Sequence, residues 1–189
     1  MKTLLLAVAT TGTTAFIPAT IALPTSVERS ATKVSLKKDN LPRGTVHLVI
    51  DKSDYELSVY DDDGWYATYP VVFGNSSLAD KKMEGDRNTP EGSFTITAKR
   101  VHDKWYRFLS IDYPTKESWE KFKKRKEKGE IPKRATIGGG IGIHGTWPNE
   151  DYQIDRYNNW TLGCISMKNK DVEEVYAYLP VGTKVKIQK

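Results

Sequence analysis

Residues 44–73 read GTVHLVIDKSDYELSVYDDDGWYATYPVVF, and this stretch indicates a mainly β fold. Residues 46–50 and 57–60 are short apolar and β-branched runs separated by a polar turn, which is typical of two adjacent strands. After a second turn, residues 65–73 are aromatic and β-branched and predict a third strand. The stretch therefore predicts three strands in succession.

The chain beyond residue 73 adds more strands and a small helical content. Residues 93–97 alternate like a half-buried strand, and residues 184–187 predict a closing strand. A helix is predicted at 116–128, inside an insertion at 115–131, and a second helix is predicted with Asn169 as its cap. We therefore expect a mainly β fold with one or two short helices.

The N-terminal residues are typical of an export signal. A positive start at Met1-Lys2 is followed by an apolar stretch at 4–9 and a small-x-small site at 20–22. A membrane anchor is the alternative, but the apolar stretch is short and interrupted by threonines. No cysteine follows this leader, so a lipoprotein anchor is excluded. We expect export to the periplasm or cell envelope, with a signal peptide at 1–22, a linker at 23–43 and one folded domain at 44–189.

Charge is unevenly distributed along the chain. The formal net charge is +5, and residues 116–134 carry nine basic and four acidic residues, an excess of five that equals the whole net charge. Such a segment binds an anionic polymer or is simply the solvated face of a helix. We expect no nucleic-acid partner and no stable membrane span.

Two ligand-binding patterns can be set aside. Residues 140–145 match the dinucleotide pattern G-x-G-x-x-G, but no helix is predicted to begin there to hold a pyrophosphate. His144 and Cys164 are competent zinc ligands, yet the chain lacks a second cysteine, and His47 and His102 fall in a strand and a charged loop. We therefore expect no metal site.

Cys164 is the only cysteine, so it cannot form an internal disulfide. In an exported protein such a thiol is an intermolecular linker, a buried spectator or a reactive group. His144 precedes it by 20 residues and can act as a base, while Gly163 allows neighbouring amides to converge on an oxyanion. A buried cysteine beside a structural histidine accounts for the same two residues, so both interpretations stay open at this point.

Ordered motifs resemble the L,D-transpeptidase catalytic-domain family. Thr89-Pro90-x-Gly92-x-Phe94 is similar to its Thr-Pro-x-Gly-x-Phe loop, and His144-Gly145 followed by Thr161-x-Gly163-Cys164 is similar to its catalytic signature. Gly182-Thr183-x-Val185-x-Ile187 looks like its last strand. The resemblance covers about 44–189 and implies an L,D-transpeptidase-like β-sandwich or barrel of mixed sheets.

This resemblance implies an enzyme that attacks peptidoglycan stem peptides between meso-diaminopimelate and the terminal D-alanine. Cys164 is then the nucleophile, His144 the general base and Gly145 the residue whose carbonyl orients His144, with the Gly163 N–H as an oxyanion donor. The acyl group passes to an amine, giving a crosslink or a wall-anchored protein, or to water, as in a carboxypeptidase or amidase. Neither a metal nor an organic cofactor is required.

The chain departs from the family beside the cysteine. Many members carry histidine where Leu162 stands and arginine or asparagine where Ser166 stands. Without a cation there, Arg87, Arg107 or Arg156 could bind a substrate carboxylate instead.

The substrate-binding residues are predicted from the segment around the histidine and the cysteine. They are Thr161, Trp147, Trp160 and Ser166, and the insertion at 115–131 is expected to cap this groove. Residues 161–164 also faintly resemble the cysteine motif of sortases. Because sortases use an arginine downstream of the cysteine and none follows Cys164, a sortase is disfavoured. A wall-binding module with an inert cysteine is the non-enzymatic alternative.

Overall fold

The computed structural model describes residues 35–38 and 40–189. The predicted signal peptide at 1–22 and the linker up to residue 34 lie outside the described residues. No helix within the described ranges is long and apolar enough to span a membrane. The elements found there are β1 (Leu36–Lys37), β2 (His47–Asp51), β3 (Glu56–Asp61), β4 (Gly64–Val72), β5 (Gly92–His102), β6 (Tyr106–Ile111), α1 (Lys116–Glu127), β7 (Gly142–His144), α2 (Tyr152–Asp155), β8 (Ile165–Met167), α3 (Asn169–Tyr178) and β9 (Lys184–Gln188).

The three predicted strands of the opening stretch are confirmed as β2, β3 and β4. They pair antiparallel in sequence order. Leu48 and Ile50 of β2 and Leu57 and Val59 of β3 are completely buried, while their neighbours are less so. This alternation arises because successive strand side chains point to opposite faces, which places one face of each strand in the core.

The strands form one continuous sheet in the order β1-β4-β3-β2-β9-β5-β6-β7-β8. A second pairing joins β4 to β8 through Val71↔Met167 and Val72↔Ser166, and this closes the sheet into a barrel. The β2–β9 and β7–β8 pairs are parallel and the others antiparallel. The predicted mainly β barrel of mixed sheets is thus confirmed, and its closure brings residues 165–167 against the end of β4.

The first predicted helix is confirmed as α1. Thr115 precedes it and accepts a hydrogen bond from the Ser118 N–H at 3.2 Å, which satisfies one of the free donors of the first turn. Phe122 is the buried residue of α1, so the helix packs through one apolar side chain and leaves most of its charges to solvent.

The second predicted helix is found as α3, but its cap was predicted wrongly. Asn169 is the first helical residue rather than the cap, and its side-chain oxygen accepts from the Thr146 N–H at 3.0 Å. The Asn169 N–H donates to an Asp151 carboxylate oxygen at 2.9 Å. The start of α3 is therefore satisfied from the segment that follows β7, which ties this helix to the loop beside His144.

Candidate active site

The parallel pair β7–β8 positions His144 and Cys164. Ile143 lies opposite Ile165 and His144 opposite Ser166, so Cys164, which directly precedes β8, lies at the start of the same ladder. His144 is the last residue of β7. Two residues that are 20 apart in sequence are therefore brought together by the register of neighbouring strands.

His144 and Cys164 both line one cavity of about 250 Å³. Its other walls are aromatic, aliphatic or glycine, apart from one hydroxyl: Trp105, Gly139, Gly140, Ile141, Trp160, Thr161 and Leu162. Leu162 is 77% exposed, so this side of the rim is open to solvent. An apolar cavity with few polar groups is the usual form of a small-molecule or peptide site.

The His144 ring is held in one tautomer. Its Nδ1 lies 2.7 Å from the carbonyl oxygen of Gly145. A carbonyl can only accept, so Nδ1 carries the proton and Nε2 keeps its lone pair. The geometry foreseen for Gly145 is thus present, and it leaves His144 with an unprotonated nitrogen that can take up a proton.

Gly145 is itself fixed in place by its surroundings. Its N–H lies 3.1 Å from the carbonyl oxygen of Trp105 and 3.3 Å from that of Arg107. A Cβ added at this position would lie 2.1 Å from the side-chain oxygen of Asn169. Only glycine fits, because the backbone approaches Asn169 too closely for any side chain.

Aromatic rings surround His144 on three sides. Trp105 stacks on it with ring centroids 4.7 Å apart, Phe108 lies parallel at 5.6 Å, and Trp160 meets it edge-on at 5.6 Å. Burial among these rings lowers the pKa of His144 from 6.5 to about 4, although the hydrogen bond to Gly145 acts in the opposite direction. The imidazole is therefore neutral at neutral pH.

Cys164 is half-buried and is not part of a disulfide. Burial raises the pKa of Cys164, and a hydrogen bond with the Gly142 backbone and the positive charge of Lys81 oppose this rise. Its Sγ donates to the Gly140 carbonyl oxygen at 3.6 Å. The site at rest thus combines a neutral thiol with a neutral imidazole.

Residues 161–164, the cysteine loop, are held by the Thr161 hydroxyl. The Thr161 Oγ1 donates to the Cys164 carbonyl at 2.8 Å and accepts from the Gly163 N–H at 3.1 Å. Gly163 has a φ of +126°, and an added Cβ would lie 2.8 Å from the Asn88 carbonyl oxygen, so glycine is required. The Gly163 N–H predicted as an oxyanion donor already has an acceptor inside the loop.

The predicted substrate-binding residues separate into two groups. Trp160 and Thr161 line the cavity. Ser166 does not line it: the residue is completely buried beneath it, and its hydroxyl donates to the Gly145 carbonyl at 3.3 Å. Trp147 also lies outside the lining, is 37% exposed and has the Lys104 ammonium 5.6 Å from its ring. Ser166 and Trp147 therefore do not line this cavity, and their contact with substrate stays a prediction.

Trp105 is the main cavity residue that the sequence did not indicate. It precedes β6, in the connection from β5, about forty residues before His144. The pairing of β6 with β7, in which Phe108 lies opposite His144, brings it to the histidine. Its only signal in the sequence is an aromatic residue within a polar turn, which does not identify a partner.

A second segment, residues 79–91, contacts the cysteine loop through Arg87 and Asn88. We call it the bracing loop. Asp86 organises it by accepting from the Lys82, Met83 and Asn88 N–H groups and from the Lys81 ammonium. These bonds lower the pKa of Asp86, although its burial raises it. The bracing loop is therefore a rigid polar structure packed against Gly163.

The basic helix α1 joins this bracing loop rather than capping the cavity. Arg125 pairs with Asp80 at 2.6 Å, and the Lys121 ammonium donates to the Glu91 carbonyl at 3.2 Å. No α1 residue is among the cavity lining found in the described part of the chain. The expected cap was wrong, because the polar side of α1 is used to hold residues 79–91.

The described residues contain no group of three or more His, Cys, Asp or Glu side chains that could hold a metal ion.

The site thus places one cysteine and one neutral histidine in the same apolar cavity of a closed mixed barrel. The L,D-transpeptidase catalytic-domain model, YkuD, matches residues 45–187. This match covers most of the chain, and the chain therefore belongs to the L,D-transpeptidase catalytic-domain family.

Relatives and solved structures agree with this membership. The chain is 30% identical over 157 residues to a Bacillus subtilis (strain 168) protein named "Putative L,D-transpeptidase YqjB", covering 80% of this chain and 76% of that protein. The fold is similar to that of the helical cell shape determining protein Pgp2 from Campylobacter jejuni, with a TM-score of 0.53, 23% identity and 77% of this chain covered. It is also similar to an L,D-transpeptidase from Stackebrandtia nassauensis, with a TM-score of 0.51, 15% identity and 85% coverage. The chain spans 48% and 62% of those two structures.

Proposed function

We propose that this protein is a cell-envelope L,D-transpeptidase that uses Cys164 as a nucleophile on peptidoglycan stem peptides. The observation that carries the proposal is the shared cavity of Cys164 and His144, in which Nδ1 is fixed by the Gly145 carbonyl. This arrangement leaves Nε2 as a base in the same apolar space as the thiol. Family membership supports the substrate class.

In the first step the Cys164 thiol transfers its proton to His144 Nε2 as sulfur attacks the carbonyl carbon of diaminopimelate. At rest the thiol donates to the Gly140 carbonyl, so the S–H bond must rotate away when substrate binds. The resulting imidazolium keeps its hydrogen bond to Gly145. It also lies against the faces of Trp105 and Phe108, which attract a cation.

Collapse of the tetrahedral intermediate breaks the carbon–nitrogen bond to D-alanine. His144 returns its proton to the departing amine, and the stem peptide remains on Cys164 as a thioester. An amine acceptor then attacks this thioester while His144 takes up the acceptor's proton. Water in place of the amine gives hydrolysis by the same residues.

The oxyanion needs donors at the cysteine loop. The Gly163 N–H serves only if substrate displaces it from the Thr161 hydroxyl, to which it is bonded at 3.1 Å. Its role in stabilising the oxyanion is therefore part of this proposal and depends on a small rearrangement of the loop.

The release of D-alanine from a purified tetrapeptide muropeptide tests the proposal. Wild-type protein should release D-alanine, and Cys164→Ala should not, because no other thiol is present in the chain. Val181→Ala is a control, since Val181 is exposed and lies outside the cavity lining and the cysteine loop. Equal release by Cys164→Ala and wild type would contradict the proposal.

Mass spectrometry of the products distinguishes transfer from hydrolysis. Dimers joined between two diaminopimelates, formed when a second muropeptide is present, identify a transpeptidase. Tripeptides alone identify a carboxypeptidase, and release of a protein linked to the wall identifies an amidase.

A further inference from the structure

We propose that Arg87 is a specificity-determining residue that binds a carboxylate of the donor stem peptide. This inference rests on the proposed function, because it assigns a substrate group to the same site. The carboxylate is that of the terminal D-alanine or that of the diaminopimelate side chain, and the two sources can be tested separately.

The position of Arg87 is the first argument. Its Nε donates to the Thr161 carbonyl at 3.3 Å, which places the guanidinium on the cysteine loop. Thr161 lines the cavity and is three residues before Cys164. Because the Thr161 hydroxyl also bonds the Cys164 carbonyl, the loop is tightly folded and its two ends are close.

The availability of Arg87 is the second argument. Its side chain is exposed, and no carboxylate within residues 35–38 and 40–189 forms an ion pair with it. The other two candidates predicted from the sequence are placed less well: Arg107 pairs with Glu173 at 3.1 Å, and Arg156, which lies over the Tyr152 ring, forms no side-chain hydrogen bond to the cysteine loop in the described residues. With Nε bonded to a carbonyl, both terminal nitrogens of Arg87 can form the two-pronged contact that guanidinium makes with a carboxylate.

The backbone also holds Arg87 in a costly conformation. Its φ is +58°, a left-handed value that is uncommon for residues other than glycine. Its carbonyl oxygen lies 1.9 Å from the ideal Cβ position of Gly74, so glycine is required there. The neighbouring Asp86 fixes the bracing loop through its four hydrogen bonds. Strain of this kind persists where the surroundings enforce it and is concentrated at functional sites.

The cavity itself creates the need for such a cation. None of its lining residues in the described chain is lysine or arginine, and its walls are mainly apolar. A stem-peptide carboxylate close to Cys164 would otherwise lose hydration without compensation. Lys81, whose charge reaches Cys164, is already paired with Asp86 at 2.9 Å. Among the described residues, Arg87 of the bracing loop is therefore a cation that is bonded to the cysteine loop and has no carboxylate partner.

Substrate amidation combined with Arg87→Gln tests the proposal. Three tetrapeptide donors are compared: one unmodified, one amidated at the terminal carboxyl and one amidated at the diaminopimelate side chain. For wild type, kcat/KM should fall about 10- to 100-fold for whichever amidation removes the bound carboxylate, the range expected for a charge-assisted hydrogen bond. Arg87→Gln should show that loss with the unmodified donor and no further loss on amidation. The kcat/KM of Arg87→Lys for the unmodified donor should lie between those of wild type and Arg87→Gln, because lysine keeps the charge but lacks the planar guanidinium.

Arg134→Gln is the matched control, since Arg134 is exposed and lies outside the cavity and the cysteine loop. It should behave as wild type with all three donors. The inference is overturned if Arg87→Gln discriminates between the donors as wild type does, or if it lowers kcat/KM equally for all three, which a purely structural role predicts.

Binding measurements separate this inference from the proposed function. Calorimetry with Cys164→Ala and with Cys164→Ala/Arg87→Gln measures the affinity for the unmodified tetrapeptide without turnover. Weaker binding of the double variant, by about 10-fold or more, supports the Arg87 assignment even if wild type releases no D-alanine. Equal affinities overturn the assignment even if wild type is an active transpeptidase.

Discussion

The neutral state of His144 has a consequence for stability that can be measured without any substrate. In the unfolded chain the pKa of this histidine is about 6.5, and in the folded protein burial lowers it to about 4. As pH falls below 6.5, the unfolded chain binds a proton that the folded protein does not bind until about pH 4. Stability contributed by neutral His144 is therefore complete above pH 6.5 and is lost as pH falls through this window.

The size of this loss follows from the two pKa values. At pH 5 the difference in proton binding corresponds to roughly 2 kcal/mol, and at pH 4 to roughly 3 kcal/mol. Glutamine has no titratable group. Between pH 8 and pH 5 the free energy of unfolding of His144→Gln should therefore fall by about 2 kcal/mol less than that of wild type. Other titrating groups are common to both proteins and cancel in this difference.

Urea unfolding followed by circular dichroism at pH 8 and pH 5 measures the effect. Cys164→Ala is the matched control, because it removes the thiol and keeps the buried histidine. It should therefore lose as much stability as wild type. Identical pH dependence of wild type and His144→Gln would refute the claim that His144 is buried in its neutral form.

Three further substitutions test the packing around the site. Gly163→Ala should cost about 1–3 kcal/mol and most of the activity, because its Cβ meets the Asn88 carbonyl at a positive φ; thermal unfolding and D-alanine release measure this. Ser166→Ala removes one of the two donors to the Gly145 carbonyl and should cost about 1 kcal/mol in urea unfolding, with a few-fold lower kcat. Lys52→Met should lower the free energy of unfolding by about 2–3 kcal/mol in the same assay, because it leaves one carboxylate and two carbonyl groups without the buried ammonium that binds them. If any one of these measurements is unchanged from wild type, that result contradicts the corresponding contact.

The strands near the start of the domain were predictable because their pattern is local. Leu48 and Ile50 lie in a short apolar and β-branched run, and the turns around it are marked by aspartate and glycine. The closing pair β4–β8 was not predictable in this way. It joins Val71 to Met167, and no local pattern specifies a contact between residues so distant in sequence.

The candidate site shows the same difference between residues that the local sequence indicates and residues whose position depends on long-range strand pairing. Cys164 and His144 are indicated by residue type and spacing. The role of Gly145 is implied by the resemblance to the family, and its contact with Nδ1 involves neighbours in the chain. The position of Trp105 depends on the β6–β7 register, and the burial of Ser166 outside the cavity lining depends on how β8 packs. Long-range register and strand orientation are therefore what the structure adds.

The basic helix makes internal contacts that its charge pattern does not reveal. The excess of lysine and arginine at 116–134 suggested either a polyanion site or a solvated face. In the structure, Arg125 and Lys121 hold the bracing loop through an ion pair with Asp80 and a hydrogen bond to the Glu91 carbonyl. Part of the charge therefore serves an internal contact, which composition alone cannot reveal.

The most direct test of the central claim is to trap the acyl group on Cys164. Wild-type protein is mixed with a tetrapeptide donor in the absence of an amine acceptor, quenched in acid within seconds and examined by intact-mass and peptide mass spectrometry. We expect an adduct with the mass of the donor minus D-alanine, located on the peptide that contains Cys164 and absent from Cys164→Ala. D-Alanine release with no adduct on Cys164, or release that persists in Cys164→Ala, would contradict the assignment of Cys164 as the nucleophile.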